Sequence, residues 1–544
     1  MTFRRDYRVP ALVWPVMLLF VAYPIVSVLQ KSLMVDGTPG LGNYVTVFTQ
    51  PHLFQTIWGG LLVSGSVAVL ATLLGLALAV AVFKTSLPLR PLFAVAAVLP
   101  MILPGFVTSL AYIFLVGRNG LITYQWLGLS WDMYSWRSVV ILQTLGFATT
   151  TFLLISAALT GVDSQAEDAA RNLGASEWQV LTTITLPLIR PGLIGALLLA
   201  FLRSMADFGT PFIVGGKFNT LATASYTQLI GAYNMELAAT LNVILLIFCL
   251  LAFWLFTRVQ ALNVDVRIKP EGGRIKPLRL RRPLNGVLFG VSLAFAVVML
   301  LFAISIFLAA FTKHIGANFN PTLEHFEIFR QRGLKSTGNT LLFAAGTSLI
   351  MSVMGLLLAY WLTRLEFTGQ RAVNLLATLP YAIPGTFMGV GYALAFSRPP
   401  LLLTGTWGII ITCTVMRELP LGLRAGVSLL LQQDRAIEDA SADLGATRFI
   451  TFRKIIVPLA RPVLVVSALY AFVASVKTLG AIIFLITPGT KVLAVDIFEA
   501  TVRGDVGDAA AFSVVAVVIA AMGSLGIYLF NFGKRRLSPL RRGK

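Results

Sequence analysis

Five ionisable side chains lie inside long apolar stretches: Arg203 and Asp207 in FLRSMADFGTPFIVGG, Arg417 and Glu418 in TVMRELPLG, and Lys477 in SVKTLGAIIF. A charge within hydrocarbon is costly, so such groups either pair off or line the path of a polar solute. Arg203 and Asp207 are four positions apart, which offers an ion pair along one helix face; that role and a place on the pathway are both open. Arg417 and Glu418 are adjacent and project about 100° apart on a helix. They are not expected to neutralise each other along one face, and one of them should face a cavity or another helix. No GxxxxGK[ST] phosphate loop occurs; GGKF and FGKRR lack the upstream Gly and the following Ser or Thr, so the chain is not expected to hydrolyse ATP. Glu324, His325 and Glu327 have no third ligand at a fixed helical spacing, and no metal site is expected there. Cys249 and Cys413 sit in apolar runs without CxxC or Cys/His spacing and should act as small packed hydrophobes.

The elements that must hold these groups are membrane-spanning. Of 544 residues, 57% are hydrophobic and 12% charged, and the mean hydropathy is +0.83. That leaves too little polar surface for a water-soluble globule of this size. The net charge of +20 comes from short basic runs between apolar spans, as the positive-inside rule requires, and forms no aromatic-interleaved face for nucleic acid. Apolar stretches long enough to cross about 30 Å of hydrocarbon recur near 11–30, 57–83, 91–117, 138–160, 188–214 and 239–260. A second six follow near 285–312, 339–364, 372–397, 407–430, 462–487 and 512–532. The first has no small-x-small cleavage site after it and reads as a retained span rather than a signal peptide.

The expected fold is therefore an all-α integral membrane protein of about 12 transmembrane helices. A first half, 1–260, is joined by a basic linker, 261–284, to a second half, 285–533, followed by a basic tail, 534–544. The basic start, linker and tail place both termini and the linker in the cytoplasm. With six spans per half, the halves are parallel repeats. LPMILPG at 99–105 matches LPYAIPG at 379–385, so Pro100, Pro104, Pro380 and Pro384 should kink the third span of each half. Those kinks either serve packing or bound the pathway.

The clearest repeat is polar. EDAARNLGASEWQVLTTITLPLIRPGL at 167–193 and EDASADLGATRFITFRKIIVPLARPVL at 438–464 align without a gap and share 12 of 27 residues. Each falls between the fourth and fifth spans of its half, on the cytoplasmic face. Residues 164–173 suit a short helix with Glu167 and Asp168 in its favoured first turn, ended by Gly174. Ser176 and Gln179 form a capping-box pair for a second helix, which Pro187 should stop. The second copy keeps Gly445, Thr447 and Pro458, but Ile450 cannot complete a box. Small residues (Ala169, Ala170, Ala175; Ala440, Ser441, Ala446) stand where a close-fitting partner would need them, whereas a helix resting on lipid would favour Trp, Lys and Arg beside a broad apolar face.

These residues resemble the EAA loop of permease subunits in binding-protein-dependent ABC importers. The first loop, 164–187, carries Glu167, Asp168, Ala169, Leu173, Gly174, Ile184 and Leu186-Pro187; the second, 435–458, carries Glu438, Asp439, Ala440, Leu444, Gly445, Ile455 and Val457-Pro458. The middle Ala of the family's pattern is Asp in both copies, and Val457 replaces Leu. The resemblance covers essentially the whole chain and implies the type I importer permease fold. It also implies that the loops are coupling helices docked on two copies of a cytoplasmic ATPase, which bind the ATP and Mg. A periplasmic binding protein would deliver the solute to a chain in the bacterial inner membrane. Fused halves look like the iron(III), thiamine and organophosphonate permeases.

On the solute the sequence says less. Asp207 corresponds to Thr478 in the other half and Arg417 to Gly146, an asymmetry that suits a cavity for a small polar or anionic solute. ADFGTP is similar to a stretch in permeases for iron(III) and for phosphonates or sugar phosphates. Iron(III) is the leading expectation, with phosphorylated small molecules, thiamine or polyamine as alternatives. A secondary transporter with two six-helix halves would share this topology, but it should carry a G-x-x-x-D-R-x-G-R-R loop where this chain has KTSLPLRP.

Overall fold

A computed structural model describes residues 8–118, 120–129, 133–162, 164–262, 282–315, 318–399 and 401–537. Most of the linker and the end of the basic tail lie outside the described residues, as do Arg4 and Arg5. The chain is helical because lipid offers backbone N–H and C=O groups no partners, so each span must satisfy its own. Among the described residues, ten helices are long and apolar enough to cross a membrane: Val9–Ser32, Pro51–Lys84, Gly105–Trp126, Trp136–Thr160, Glu177–Met205, Met235–Gln260, Pro283–Phe311, Glu324–Arg364, Arg448–Lys477 and Val506–Gly526. The other two of the twelve expected spans are also helical. One is a broken pair, Gln370–Tyr381 and Gly385–Ala395, bent by 114°. The other, Trp407–Gln432, carries Arg417, Glu418 and Arg424 within its length. We number these twelve as spans in chain order, span 3 including Arg90–Met101 and span 9 being the broken pair.

In two places the helices depart from the expectation. First, the paired prolines break the third span of each half outright instead of kinking it. Leu99–Met101 and Leu379–Tyr381 are single tight 3₁₀ turns, and Pro104 (φ −60°, ψ 149°) and Pro384 (φ −57°, ψ 145°) are extended residues from which new helices start at Gly105 and Gly385. Two residues without an N–H, four apart, each remove a rung of the ladder, although Leu99 and Leu379, just before the first proline of each pair, stay helical. A neighbouring span supplies a donor at the first break, where the Thr149 hydroxyl donates to the Ala97 carbonyl at 2.7 Å.

Second, Pro187 and Pro458 do not stop their helices. Spans 5 and 11 start inside the polar segments, at Glu177 and Arg448, and end at Met205 and Lys477, earlier than expected. Each passes through a wider π-helical stretch, Val180–Thr185 or Phe452–Ile456, immediately before Leu186 or Val457. The wider turn moves the preceding carbonyls away from the proline ring, which relieves the clash that would otherwise break the helix there.

Compact packing does not follow chain order. One unit consists of Met1–Met34, Arg330–Asp496 and Val515–Lys544, the other of Val35–Phe329 and Ile497–Val514. Span 1 thus packs with the second half: the Tyr392 hydroxyl donates to the Phe20 carbonyl at 2.6 Å, and Gly369 (φ +80°) lies against the Trp14 ring. Span 7 packs with the first half, with Phe289 edge-on to Phe93 at 5.7 Å.

Within each unit, spans of the same rank meet backbone to backbone. A Cβ on Gly75 of span 2 would lie 2.2 Å from Thr151 Oγ1 and 2.8 Å from the Phe152 nitrogen of span 4. A Cβ on Gly355 of span 8 would lie 2.8 Å from the Gly422 carbonyl carbon of span 10. Small residues permit this approach, which in lipid replaces the hydrophobic effect as the source of helix association. Gly75→Leu and Gly355→Leu are each expected to destabilise the protein by about 1–3 kcal/mol through overpacking. A fall in thermal midpoint in detergent checks this, and unchanged midpoints would contradict the close crossing.

Candidate functional site

The repeated polar segments are built alike. Ser164–Asn172 and Ala436–Asp443 are short helices. Both end in a complete Schellman turn: Ala175 N–H donates to the Ala170 carbonyl (3.0 Å) and Gly174 to Arg171 (2.9 Å), while Ala446 donates to Ser441 (3.1 Å) and Gly445 to Ala442 (2.9 Å). Gly174 (φ +86°) and Gly445 (φ +80°) take the left-handed conformation that a side chain would strain, although no atom lies within 4 Å of where their Cβ would be. Ser176 and Gln179 form the expected reciprocal capping box, and Thr447 caps Ile450 from one side only.

The turns present apolar side chains outward. Leu173 and Leu444 are each 89% exposed, Trp178 is 52% and Phe449 70%. Ala169, Asp439 and Ala440 are exposed beside them. Trp178 and Phe449 occupy the same place in the two copies, and their match in the gapless alignment was the signal that sequence reasoning passed over. The two acids at the root behave oppositely. Glu167 has no exposed surface; Lys84 Nζ is 2.6 Å from its Oε1, and the Thr185 hydroxyl donates to the same oxygen at 2.7 Å. Glu438 lies 2.7 Å from Nε of Arg364, whose Nη2 also donates to the Leu430 and Gln433 carbonyls at 2.9 and 3.0 Å. Lys84 and Arg364, the final residues of spans 2 and 8, are absent from the sequence-based candidates, though aligning the LPxxxPG stretches pairs them as well.

Between root and tip the copies differ. Arg171 reaches Asp168 at 2.8 Å and Glu177 at 3.1 Å, tying the two short helices together across Gly174. Burial works against its charge, but the hydrogen bonds and Coulombic attraction of Glu177, Asp168 and Glu167 outweigh it and hold the guanidinium above its ordinary pKa. The second copy has Ala442 there, and a Ser441–Thr451 hydroxyl contact at 2.9 Å joins its helices instead. Pro187 and Pro458 lie in the first turns of the onward helices.

The intramembrane charges fall into separate environments. Span 5 ends at Met205, so Asp207 lies beyond it and does not share a helical face with Arg203. Its carboxylate accepts from Gln143 Nε2 at 2.9 Å and caps the Gly209 N–H at 3.1 Å. Gln143 in turn accepts from the Ser204 hydroxyl at 2.5 Å, and Ser204 meets Ser64 at 3.2 Å. This polar chain crosses spans 2, 4 and 5, and a glutamine inside an apolar run was its sequence signal. Arg203 and Lys477, both half-buried, occupy last helical turns, where a cation is favoured. Arg417 and Glu418, expected not to meet, approach to 3.9 Å (Nε to Oε1), too long for a hydrogen bond.

The proline breaks face these groups within each unit. A Cβ on Gly105 would lie 3.6 Å from Thr210 Oγ1, and one on Gly385 would lie 3.5 Å from Arg417 Nη1 and 3.3 Å from the Ala481 nitrogen. The glycines that follow Pro104 and Pro384 thus lie against the chain that follows span 5 or span 11, while Pro100 and Pro380 are buried in the 3₁₀ turns before them. Among the described residues no three His, Cys, Asp or Glu side chains converge as a metal site. His325 instead contacts Asp508 through Nδ1 at 2.8 Å and the Thr312 carbonyl through Nε2 at 3.2 Å. Cys249 and Cys413 are buried free thiols.

Comparison with known proteins agrees with this duplicated architecture. The chain matches the family described as binding-protein-dependent transport system inner membrane component twice, over residues 71–262 and 351–542. It is 32% identical over 524 residues to the ferric transport system permease protein FbpB of Actinobacillus pleuropneumoniae, covering 92% of this chain and 74% of that protein. It is 33% identical over 496 residues to FbpB 1 of Haemophilus influenzae, a protein named for a ferric transport system, covering 87% of this chain and 77% of its relative. The molybdenum transport system permease protein ModB of Haemophilus influenzae is 36% identical over 173 residues, 30% of this chain and 75% of ModB. Two family domains in one chain, each with the polar segment between its fourth and fifth spans, make this protein a fused, two-domain member of the binding-protein-dependent transport system inner membrane component family.

Proposed function

We propose that the chain is the translocation subunit of an ATP-driven iron(III) importer in the bacterial inner membrane. The observation that carries this reading is the 32–33% identity to two ferric-system permeases over nearly the whole chain. The ModB likeness covers less than a third of the chain, so it supports the family and not molybdate. A loaded periplasmic binding protein delivers the ion. Selectivity for a coordinated ferric ion then resides in that protein, and the permease needs no ligand cluster of its own.

Energy enters at the two polar segments. Each presents an exposed Leu and an aromatic residue at a tip stiffened by a Schellman turn, a surface shaped for a hydrophobic groove and not for solvent. Two such tips take two copies of an ATPase subunit, which hold the ATP and Mg. The linker, the tail and both termini then lie in the cytoplasm with the tips. ATP closes the ATPase pair, draws the tips together and shifts the permease between inward-open and outward-open states; release after hydrolysis resets it.

Reconstitution with the cognate ATPase and binding protein tests this reading, with accumulation of radiolabelled iron(III) expected only when ATP is present. Iron-free binding protein isolated with a phosphorylated solute bound would overturn the choice of cargo. Replacing Gly174 and Gly445 together by Asp strains two left-handed positions at about 1 kcal/mol each or more and places charge beside the docking leucines. ATP hydrolysis by the ATPase is expected to persist while uptake falls, and undiminished uptake would contradict docking at the tips. Arg417→Ala is expected to abolish uptake with the complex still assembled; normal transport would remove Arg417 from the pathway.

A further inference from the structure

In both halves the first carboxylate of the polar segment points away from the side where a partner would sit. Glu167 has no exposed surface and Glu438 little, whereas Leu173 and Leu444, six positions on, are almost fully exposed. A carboxylate in the first turn of a short cytoplasmic helix could stay hydrated at no cost, and moving it inside is expensive unless a cation meets it. Each half provides that cation at the same place, the last residue of its second span: Lys84 at the end of Pro51–Lys84 and Arg364 at the end of Glu324–Arg364. The auxiliary donors differ, Thr185 in the first half and the Tyr360 hydroxyl in the second. The acid–base pair is what both copies keep.

From this geometry we infer that Lys84 and Arg364 are force-transmitting positioning residues, which fasten the root of each ATPase-docking segment to the second span of its own half. The inference rests on the importer reading above and adds a second route for the motor's stroke. Covalent continuity carries displacement of the tip into spans 5 and 11, because those helices begin within the polar segments. The ion pairs carry it also into spans 2 and 8. Those spans are locked backbone to backbone onto spans 4 and 10 at Gly75 and Gly355, so three spans of each half move with the tip.

A charge pair suits this task better than an apolar contact. Its attraction in a poorly hydrated site is strong, and parting it leaves two poorly hydrated charges unsatisfied, while apolar side chains slide past one another at little cost. The first half has the drier latch and the Arg171 bridge. The second has Arg364 spread over Glu438 and two carbonyls at the end of span 10, so its root is tied to span 10 directly as well.

The test is uptake per ATP hydrolysed in proteoliposomes holding the full chain, its ATPase and iron-loaded binding protein. With Lys84→Ala and Arg364→Ala together, the ATPase is expected to co-purify and hydrolyse ATP, while uptake per ATP falls roughly tenfold, as for the loss of a buried charge contact. Lys84→Arg with Arg364→Lys should keep the ratio near that of the unaltered chain. Should truncation impair assembly, the reversal decides: Lys84→Glu lowers the ratio, and adding Glu167→Lys restores it. An unchanged ratio in the assembled alanine variant, or a reversed pair no better than Lys84→Glu alone, would overturn the inference. Failure of any ATPase to bind the unaltered chain would overturn the importer reading beneath it.

Discussion

A carboxylate with no exposed surface must have a cation at contact distance, and in this protein Glu167 finds Lys84 at 2.6 Å. The rest of the polar segment is arranged around that requirement. With the root anchored, a nine-residue helix can project from the membrane body, turn at Gly174 and return into span 5 without fraying. The second half solves the same problem with Arg364 and Glu438. Two different cations, two different auxiliary donors and two different inter-helix ties reach one geometry, which points to the geometry as the property held in common.

Membrane burial explains the other constraints. Prolines within spans have to be accommodated, and the chain uses three devices to do so: a 3₁₀ turn and a fresh helix start at the LPxxxPG breaks, a side-chain donor from span 4, and wider π-helical stretches ahead of Pro187 and Pro458. The breaks put irregular backbone beside Thr210 in one unit and beside Arg417 in the other. Non-helical backbone at membrane depth is tolerated where it is enclosed by protein or lines a cavity, and at both breaks protein groups lie against it.

Much of this was legible in the residues, because local rules act where the sequence is polar. Gly174, Gly445 and the Ser176–Gln179 box are set by backbone preferences that depend on few neighbours, and they appear as expected. The twelve apolar stretches all proved helical, ten of them as single helices long and apolar enough to span among the described residues. What escaped the sequence is tertiary. Pro187 reads as a stop by propensity, yet a change of helical register absorbs it. Asp207 is four residues from Arg203, but the helix ends at Met205 between them. Nothing in the order of the chain says that span 1 packs with the second half or span 7 with the first. Nothing near Lys84 in the sequence marks its role, since its partner lies 83 residues away.

The central claim is that the two exposed tips are where an ATPase subunit takes hold. Site-directed cross-linking measures that contact most directly. Cys249 and Cys413 are buried, so a thiol introduced by Leu173→Cys or Leu444→Cys is the accessible one. With a short bifunctional reagent and the co-expressed ATPase, each variant is expected to give a permease–ATPase adduct, and the two together an adduct carrying two ATPase copies. Adducts with lipid-soluble reagents only, and none with the ATPase from either position, would contradict the account.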